Sequence, residues 1–304
     1  MKPLAITLGD PAGIGAEIVF KALPEIDVPA VVFGSRAWAQ PPEGIAFVDA
    51  GGSGAVRYGE ISAEYGRIAL ASIDAALQAI ARGECSALVT APIHKQAIAA
   101  AGCEYPGHTE LLAARAGLAR YGRDFAMYFD SPSLRAVLLS VHVSLREAVA
   151  TIHAEGIAEL ARLTSRELAR LFDRPPRIAV AGVNPHAGEG GRFGDEEREI
   201  ARGVERACAE GIDISGPHPA DTLFLAARRG QYDVVMAIYH DQALIPIKTL
   251  AFEESVNVTI GLPYLRVSVD HGTAFDIAGK GIADPAPMRY AIEWAARNAP
   301  RWSR

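Results

Sequence analysis

Cysteine is scarce in this chain: Cys85, Cys103 and Cys208 are the only three, far apart and without a CxxC pair. An odd count at such spacing excludes a disulfide framework and suits a reducing cytoplasm. An excess of positive charge is also missing. Lys and Arg number 30 against 36 Asp and Glu, for a net charge of -6. No general basic surface exists to displace counterions from a polyanion, so nucleic acid is a poor partner. No apolar run has the length of a membrane span, and the one in MKPLAITLGDPAGIG is too short for a secretory signal, so a cytoplasmic protein without membrane contact is expected. Internal repeats and low-complexity tracts are absent. What remains is ordinary globular material, 304 residues that are 50% hydrophobic and 22% charged, enough for a sizeable core and more than one lobe.

Short apolar runs ended by Gly, Pro, Asp or Ser read as strands: PLAITLGD, VPAVVFG, IAFVDA, SALVTAPI, DFAMYFD, LRAVLLSVHV, RIAVAGVNPH and YDVVMAIYHDQ. Between several of them apolar residues recur at helical spacing, as in AEYGRIALASIDAALQAIARG and EGIAELARLTSRELARLF. Alternation of this kind predicts βαβ units and a largely parallel sheet with covered faces. No clean domain boundary is visible, which suits a chain that crosses between lobes more than once.

Ligands in open α/β folds sit where strands give way to loops. GDPAGIGAE, residues 9 to 17, ends the first run; lacking both GxGxxG and a GK[ST] ending, it reads either as a tight turn or as an anion-binding helix start. His142 in LLSVHVSL, His186 in GVNPHAGEGG and His240 in AIYHDQ each stand near the end of an apolar run. Singly, each could be a hydrogen-bonded, half-buried imidazole. Together, at the ends of one sheet, they would make a site for a divalent Lewis acid, with Asp241 orienting His240. Lys248, Asn257 and Arg266 follow within one region. The two cations fit a clamp for phosphate or carboxylate, Arg as a fork and Lys as a point charge; the alternative is a pair of solvated surface cations. In YPGHTELL, residues 105 to 112, Thr109 could cap a helix with His108 in its loop, or both could face a ligand. Finally, AVAGVNPHAGEGGRFGDEE, residues 179 to 197, sets His186 at a strand lip and then frees the backbone with glycines. Asp195, Glu196 and Glu197 read as favourable charge at the start of the next helix.

Taken together, GDPAGIGAE, TAPIHK, YPGHTELL, GVNPHAGEGG, GPHPADTLF, YHDQALIPIK and VNVTIGLPYLRVSVDHGTAFDIAG resemble the 4-hydroxythreonine-4-phosphate dehydrogenase (PdxA) family, in order and from about residue 4 to about residue 290. The resemblance implies an α/β fold: two α/β/α lobes of the isocitrate/isopropylmalate dehydrogenase-like type with an active-site cleft between them. Residues 1–105 plus 245–304 would form the cofactor-binding lobe, and 106–244 the metal-binding and dimerisation lobe. His142, His186 and His240 become ligands of one divalent metal per site (Zn, Mg or Co), with His142 supplied by the other subunit of a homodimer. His108, Thr109, Lys248, Asn257 and Arg266 fall to a small phosphorylated substrate. His271, Gly272, Thr273 and Ala274, with Gly188, Gly190 and Gly191, fall to NAD or NADP. Lys248 and Asp241 are the implied catalytic pair. No role follows for His94 or His218, and the segment around residues 37 to 60 is shorter than in longer members.

The implied reaction is NAD(P)- and metal-dependent oxidation of the secondary alcohol of 4-phosphooxy-L-threonine. Decarboxylation of the 3-oxo acid then gives 3-amino-2-oxopropyl phosphate, on the route to pyridoxal phosphate. Branches of the family imply alternatives, the same chemistry on a 4-phospho-threonate, a 4-phospho-erythronate or a ring cis-dihydrodiol carboxylate. A three-histidine cation would also serve a metal-dependent hydrolase, and an old enzyme fold can serve as a sensor. The HGTA loop, which a hydrolase does not need, and the intact clamp residues favour the dehydrogenase.

Overall fold

The structure, a computed structural model, describes residues 2–302. The chain runs β1 (Leu4–Thr7), α1 (Gly15–Ala22), β2 (Ala30–Gly34), β3 (Ala46–Asp49), α2 (Ala63–Ala81), β4 (Ala87–Thr90), α3 (Lys95–Ala100) and α4 (His108–Arg115). It continues with β5 (Ala126–Asp130), β6 (Arg135–Leu138), α5 (Leu145–Ala150), α6 (Ala154–Phe172), β7 (Ile178–Ala181), α7 (Glu197–Ala209) and β8 (Ile214–His218). Last come α8 (Ala220–Arg228), β9 (Val234–Ala237), α9 (His240–Ala251), β10 (Val256–Ile260), β11 (Leu265–Ser268) and α10 (Ala286–Trp302).

Local chemistry accounts for several of these limits. Ser62 caps α2 by accepting from the Glu64 amide at 3.2 Å. Ser144 and Glu147 close a reciprocal capping box on α5. α6 buries Ile157, Leu160, Ala161, Leu163, Thr164 and Leu168 along one stripe and stops where Asp173 turns left-handed at φ 53°.

The chain divides into two compact units, one made of residues up to Ala116 and from Pro263 onward, the other of Gly117–Leu262. In the first, strands lie in the order β3-β2-β1-β4-β11, all parallel. Every residue of β1 and of β4 is buried, as in a parallel sheet covered on both faces. α2 packs against β1 and β2, and α10 against β4 and β11. In the second unit the order is β10-β5-β6-β9-β7-β8. Here β5 runs antiparallel to both neighbours, while β6, β9, β7 and β8 are mutually parallel. Phe129, Leu138, Val235, Leu244 and Ile247 belong to the core on which α8 and α9 sit. The mixed α/β class is as expected; the antiparallel β10-β5-β6 group is not.

Both boundaries fall later than residues 105 and 245. Arg115 ties α4 back to α2 by holding Asp74 at 2.8 Å. α9 packs on β6 and β9, and β10 pairs with β5 from Val256↔Asp130 to Ile260↔Ala126. His108 and Thr109 therefore belong to the first unit, Lys248 and Asn257 to the second.

Candidate active site

In the second unit, β6 and β9 are parallel neighbours in register Leu138↔Ala237, and the chain beyond both strands stays paired for a few residues. Leu139 donates its amide to the Ala237 carbonyl at 2.8 Å, and the Ser140 hydroxyl donates to the Ile238 carbonyl at 2.8 Å. This pairing carries His142 toward His240, and the two ring centroids are 5.9 Å apart. A cavity of about 270 Å³ opens beside them, lined also by Val141, Val143, Leu145, Tyr239 and Asp241. The Asp241 carboxylate lies 2.7 Å from His240 Nδ1. A ring held through Nδ1 in this way leaves Nε2 for a ligand.

His186 stands apart in character. After β7 the chain enters a turn in which His186, Ala187, Gly188, Glu189 and Gly190 have φ of 53°, 52°, 75°, 45° and 69°. A left-handed path costs about 1–2 kcal/mol for each residue with a side chain, so His186, Ala187 and Glu189 are strained. Gly188 is buried, and a Cβ there would stand 2.7 Å from Glu197 Oε2; Gly190 has open space around it. Of the glycines expected to face a cofactor, Gly188 thus serves the turn itself and Gly190 is open to a ligand. Among the described residues, no three His, Cys, Asp or Glu side chains of the single chain are gathered closely enough to hold a metal. Asn257 is buried on β10 opposite Phe129, and its Oδ1 has no hydrogen-bond partner. Lys248 Nζ lies 6.0 Å from the Phe252 ring centre.

In the first unit, Arg266 projects from β11 and is only 2% exposed. Its Nη2 donates to Thr90 Oγ1 at 2.9 Å. Burial lowers its pKa to about 10, so it remains a cation at neutral pH. His108 opens α4 with Nε2 buried and without a hydrogen-bond partner. Burial first, and the charge of Arg266 second, push its pKa well below the ordinary value. The imidazole is therefore neutral beside a permanent cation. Thr109 is buried in the same turn. No hydrogen bond from its side chain caps α4, contrary to the capping alternative.

The glycine turn after β1 is chiefly steric. A Cβ at Gly9 would lie 2.1 Å from the Pro92 carbonyl oxygen, and one at Gly15 1.9 Å from that of Leu8. Asp10 braces the turn by accepting the Ala12 amide at 2.8 Å. The turn in turn holds the HGTA loop, because Ile14 donates its amide to the Thr273 carbonyl at 3.1 Å. Ala274 is left-handed at φ 45°, and nothing lies within 4 Å of where a Cβ on Gly272 would be. A backbone exposed in this way fits the close approach of a dinucleotide. Beyond it Phe275 packs with Ala12, Trp38, Tyr65 and Ile68 and stacks on His94, centroids 4.7 Å apart and planes at 18°. His94 thus braces this loop, a role its sequence position did not suggest. His218 bonds Ser215 Oγ at 2.8 Å within the edge strand β8.

A model of the family described as "Pyridoxal phosphate biosynthetic protein PdxA" matches residues 5–295. The chain belongs to the PdxA family. This PdxA chain is 42% identical to the 4-hydroxythreonine-4-phosphate dehydrogenase of Beijerinckia indica subsp. indica, over 97% of this chain and 94% of that one. It is 40% identical to the D-threonate 4-phosphate dehydrogenase of Salmonella typhimurium, over 98% and 99%. A crystal structure of 4-hydroxythreonine-4-phosphate dehydrogenase from Klebsiella pneumoniae superposes with a TM-score of 0.87 at 39% identity, covering 98% of each chain. Isocitrate dehydrogenase from Methylococcus capsulatus, at 17% identity and a TM-score of 0.50 over 100% of this chain and 88% of that one, shares the fold alone. The protein is a PdxA-type oxidoreductase. No helix among its described residues is long and apolar enough to cross a membrane.

Proposed function

We propose that this PdxA-type dehydrogenase uses NAD or NADP and a divalent metal to oxidise the secondary alcohol of 4-phosphooxy-L-threonine, and that the resulting 3-oxo acid loses carbon dioxide to give 3-amino-2-oxopropyl phosphate for pyridoxal phosphate synthesis. The observation that carries this reading is the approach of His142 to His240, with His240 oriented by Asp241. Imidazole donors suit Zn or Co better than Mg, which prefers oxygen donors. The exposed apolar residues Val143 and Leu145 line the same cavity, which supports a second copy of the chain covering it. His142 and His240 meet within one chain, which supports a second arrangement beside the one in which His142 crosses, with His186 as the donor from the second subunit.

A divalent cation held by imidazoles supplies Lewis acidity toward the substrate's alcohol and carbonyl oxygens. A dinucleotide resting on His271, Gly272, Thr273 and Ala274 supplies the hydride acceptor. The chain's own residues do the rest. Arg266, a buried cation, holds a phosphate or carboxylate, and neutral His108 can donate to the same anion without adding charge. Asn257, with its buried Oδ1 unsatisfied, fits a hydroxyl or ammonium donor on the substrate. Lys248 is the residue we assign to proton transfer, a role suited to an ammonium on a flexible stem.

The similarity to D-threonate 4-phosphate dehydrogenases is nearly as high, so the 2-hydroxy acid analogue stands as the second reading. Purified protein offered each dinucleotide with 4-phosphooxy-threonine, 4-phospho-threonate or 4-phospho-erythronate decides between them by absorbance of the reduced nicotinamide. Turnover of none of the three would refute both readings.

A further inference from the structure

Glu197 opens α7, yet the residue is only 7% exposed. Its Oε1 accepts the Val183 amide at 2.9 Å and the Asn184 amide at 2.7 Å, and Oε2 accepts Asn184 Nδ2 at 2.8 Å. The two amides lie 14 and 13 residues upstream. A carboxylate serving only its own helix would bond the amides of the first turn. This one grips the chain just before His186, while Gly188, just after it, closes on the same carboxylate because it has no Cβ to collide with Oε2. Between those two points His186 and Ala187 are left-handed, and His186 is exposed, so packing of the ring does not explain the strain. Backbone strain persists where its surroundings over-determine it, and it gathers at ligand sites.

We propose that Glu197 is the positioning residue for His186: its buried carboxylate grips the chain at Val183 and Asn184 before that histidine and closes on Gly188 after it, and so fixes the left-handed turn that presents the imidazole to a divalent cation. The inference rests on the reading of His186 as a metal donor. The test is cobalt(II) binding to the intact purified protein, followed by equilibrium dialysis, with thermal unfolding recorded for each variant. Glu197→Ala should weaken cobalt affinity about 10- to 100-fold, the usual effect of removing a group that orients a metal ligand. Glu197→Gln keeps an acceptor for the two backbone amides and should lose less, though measurably; it carries the test if the alanine variant does not fold. Combined with His186→Ala, the Glu197 substitution should add no further loss, because it acts through that histidine. Wild-type affinity in Glu197→Gln, or additive losses in the double variant, would overturn the proposal. If His186→Ala alone bound cobalt as tightly as wild type, the donor role of His186 itself would be wrong, and the positioning role would fall with it.

Discussion

The rings of His142 and His240 meet, 5.9 Å between centroids, because β6 and β9 are parallel neighbours whose chains stay hydrogen-bonded past the strand ends. Two imidazoles brought together by sheet pairing survive the loss of either one. His142→Ala and His240→Ala should each fold with wild-type circular dichroism, yet lose turnover by about 100-fold or more and lose bound metal in elemental analysis. Near-normal turnover after chelator treatment in either variant would refute the metal site.

Subunit mixing distinguishes the two ways the third histidine can be supplied. If His142 and His240 act from one chain and His186 from its partner, exchanged mixtures of His186→Ala with His240→Ala rebuild one complete site in each mixed dimer. Random pairing makes half the dimers mixed, so activity should recover to roughly a quarter of wild type. Mixtures of His142→Ala with His240→Ala should stay dead. The opposite pattern, with exchange verified by native mass spectrometry, would show that His142 is the donor that crosses.

Arg266→Lys keeps the charge and removes the fork. A charge-assisted pair of this kind is worth on the order of 1.5–3 kcal/mol, so the substrate KM should rise roughly 10- to 150-fold while the Kd for dinucleotide stays within about twofold. A weakened dinucleotide with unchanged substrate KM would move Arg266 to the other ligand.

His108 should make the protein acid-labile. Its folded pKa lies well below the ordinary 6.5. As pH falls through about 6.5 the unfolded chain takes up a proton that the folded state refuses, and stability declines toward the folded pKa at up to about 1.4 kcal/mol per pH unit. Above that window the penalty is absent. Urea unfolding of His108→Gln at about pH 7 and about pH 5 should show a smaller difference than wild type. Identical differences would mean that another group sets the acid response.

The stack of His94 on Phe275 predicts that His94→Ala loosens the HGTA loop. Dinucleotide Kd should rise about 3- to 10-fold, in line with losing an aromatic pair worth roughly 0.5–1.5 kcal/mol. Trp38, in the same apolar cluster, gives a fluorescence readout independent of turnover. An unchanged Kd would reduce His94 to a packing residue.

Strands that end in Gly, Pro or Asp were legible from sequence as short apolar runs, uninterrupted in β1, β4, β7 and β9 because every residue of these is buried. β10 and β11 were not, since each carries a polar residue, Asn257 or Arg266, that breaks the run although it is buried. β8 hid behind an internal Gly-Pro. Strand direction around β5 depends on which partners it finds, and no local pattern encodes that. At the site, the position of each histidine at a strand end was readable, but that β6 adjoins β9 was not. Glu197 was read as charge for a helix start; its bonds to Val183 and Asn184 are long-range and leave no periodic trace. His94 had no signal beyond being a histidine near a helix start.

The second unit is one continuous segment, whereas the first is interrupted by it. On a ribosome, then, residues 117–262 can finish folding before the first unit has all its parts. Until β11 emerges, β4 is an open edge made of Ala87, Leu88, Val89 and Thr90, which in the finished protein are wholly buried. Such an edge invites pairing with a neighbouring nascent chain. Truncation directly after residue 262 should therefore yield a complete second unit joined to an aggregation-prone half-sheet, and chaperone dependence during synthesis should trace to β4.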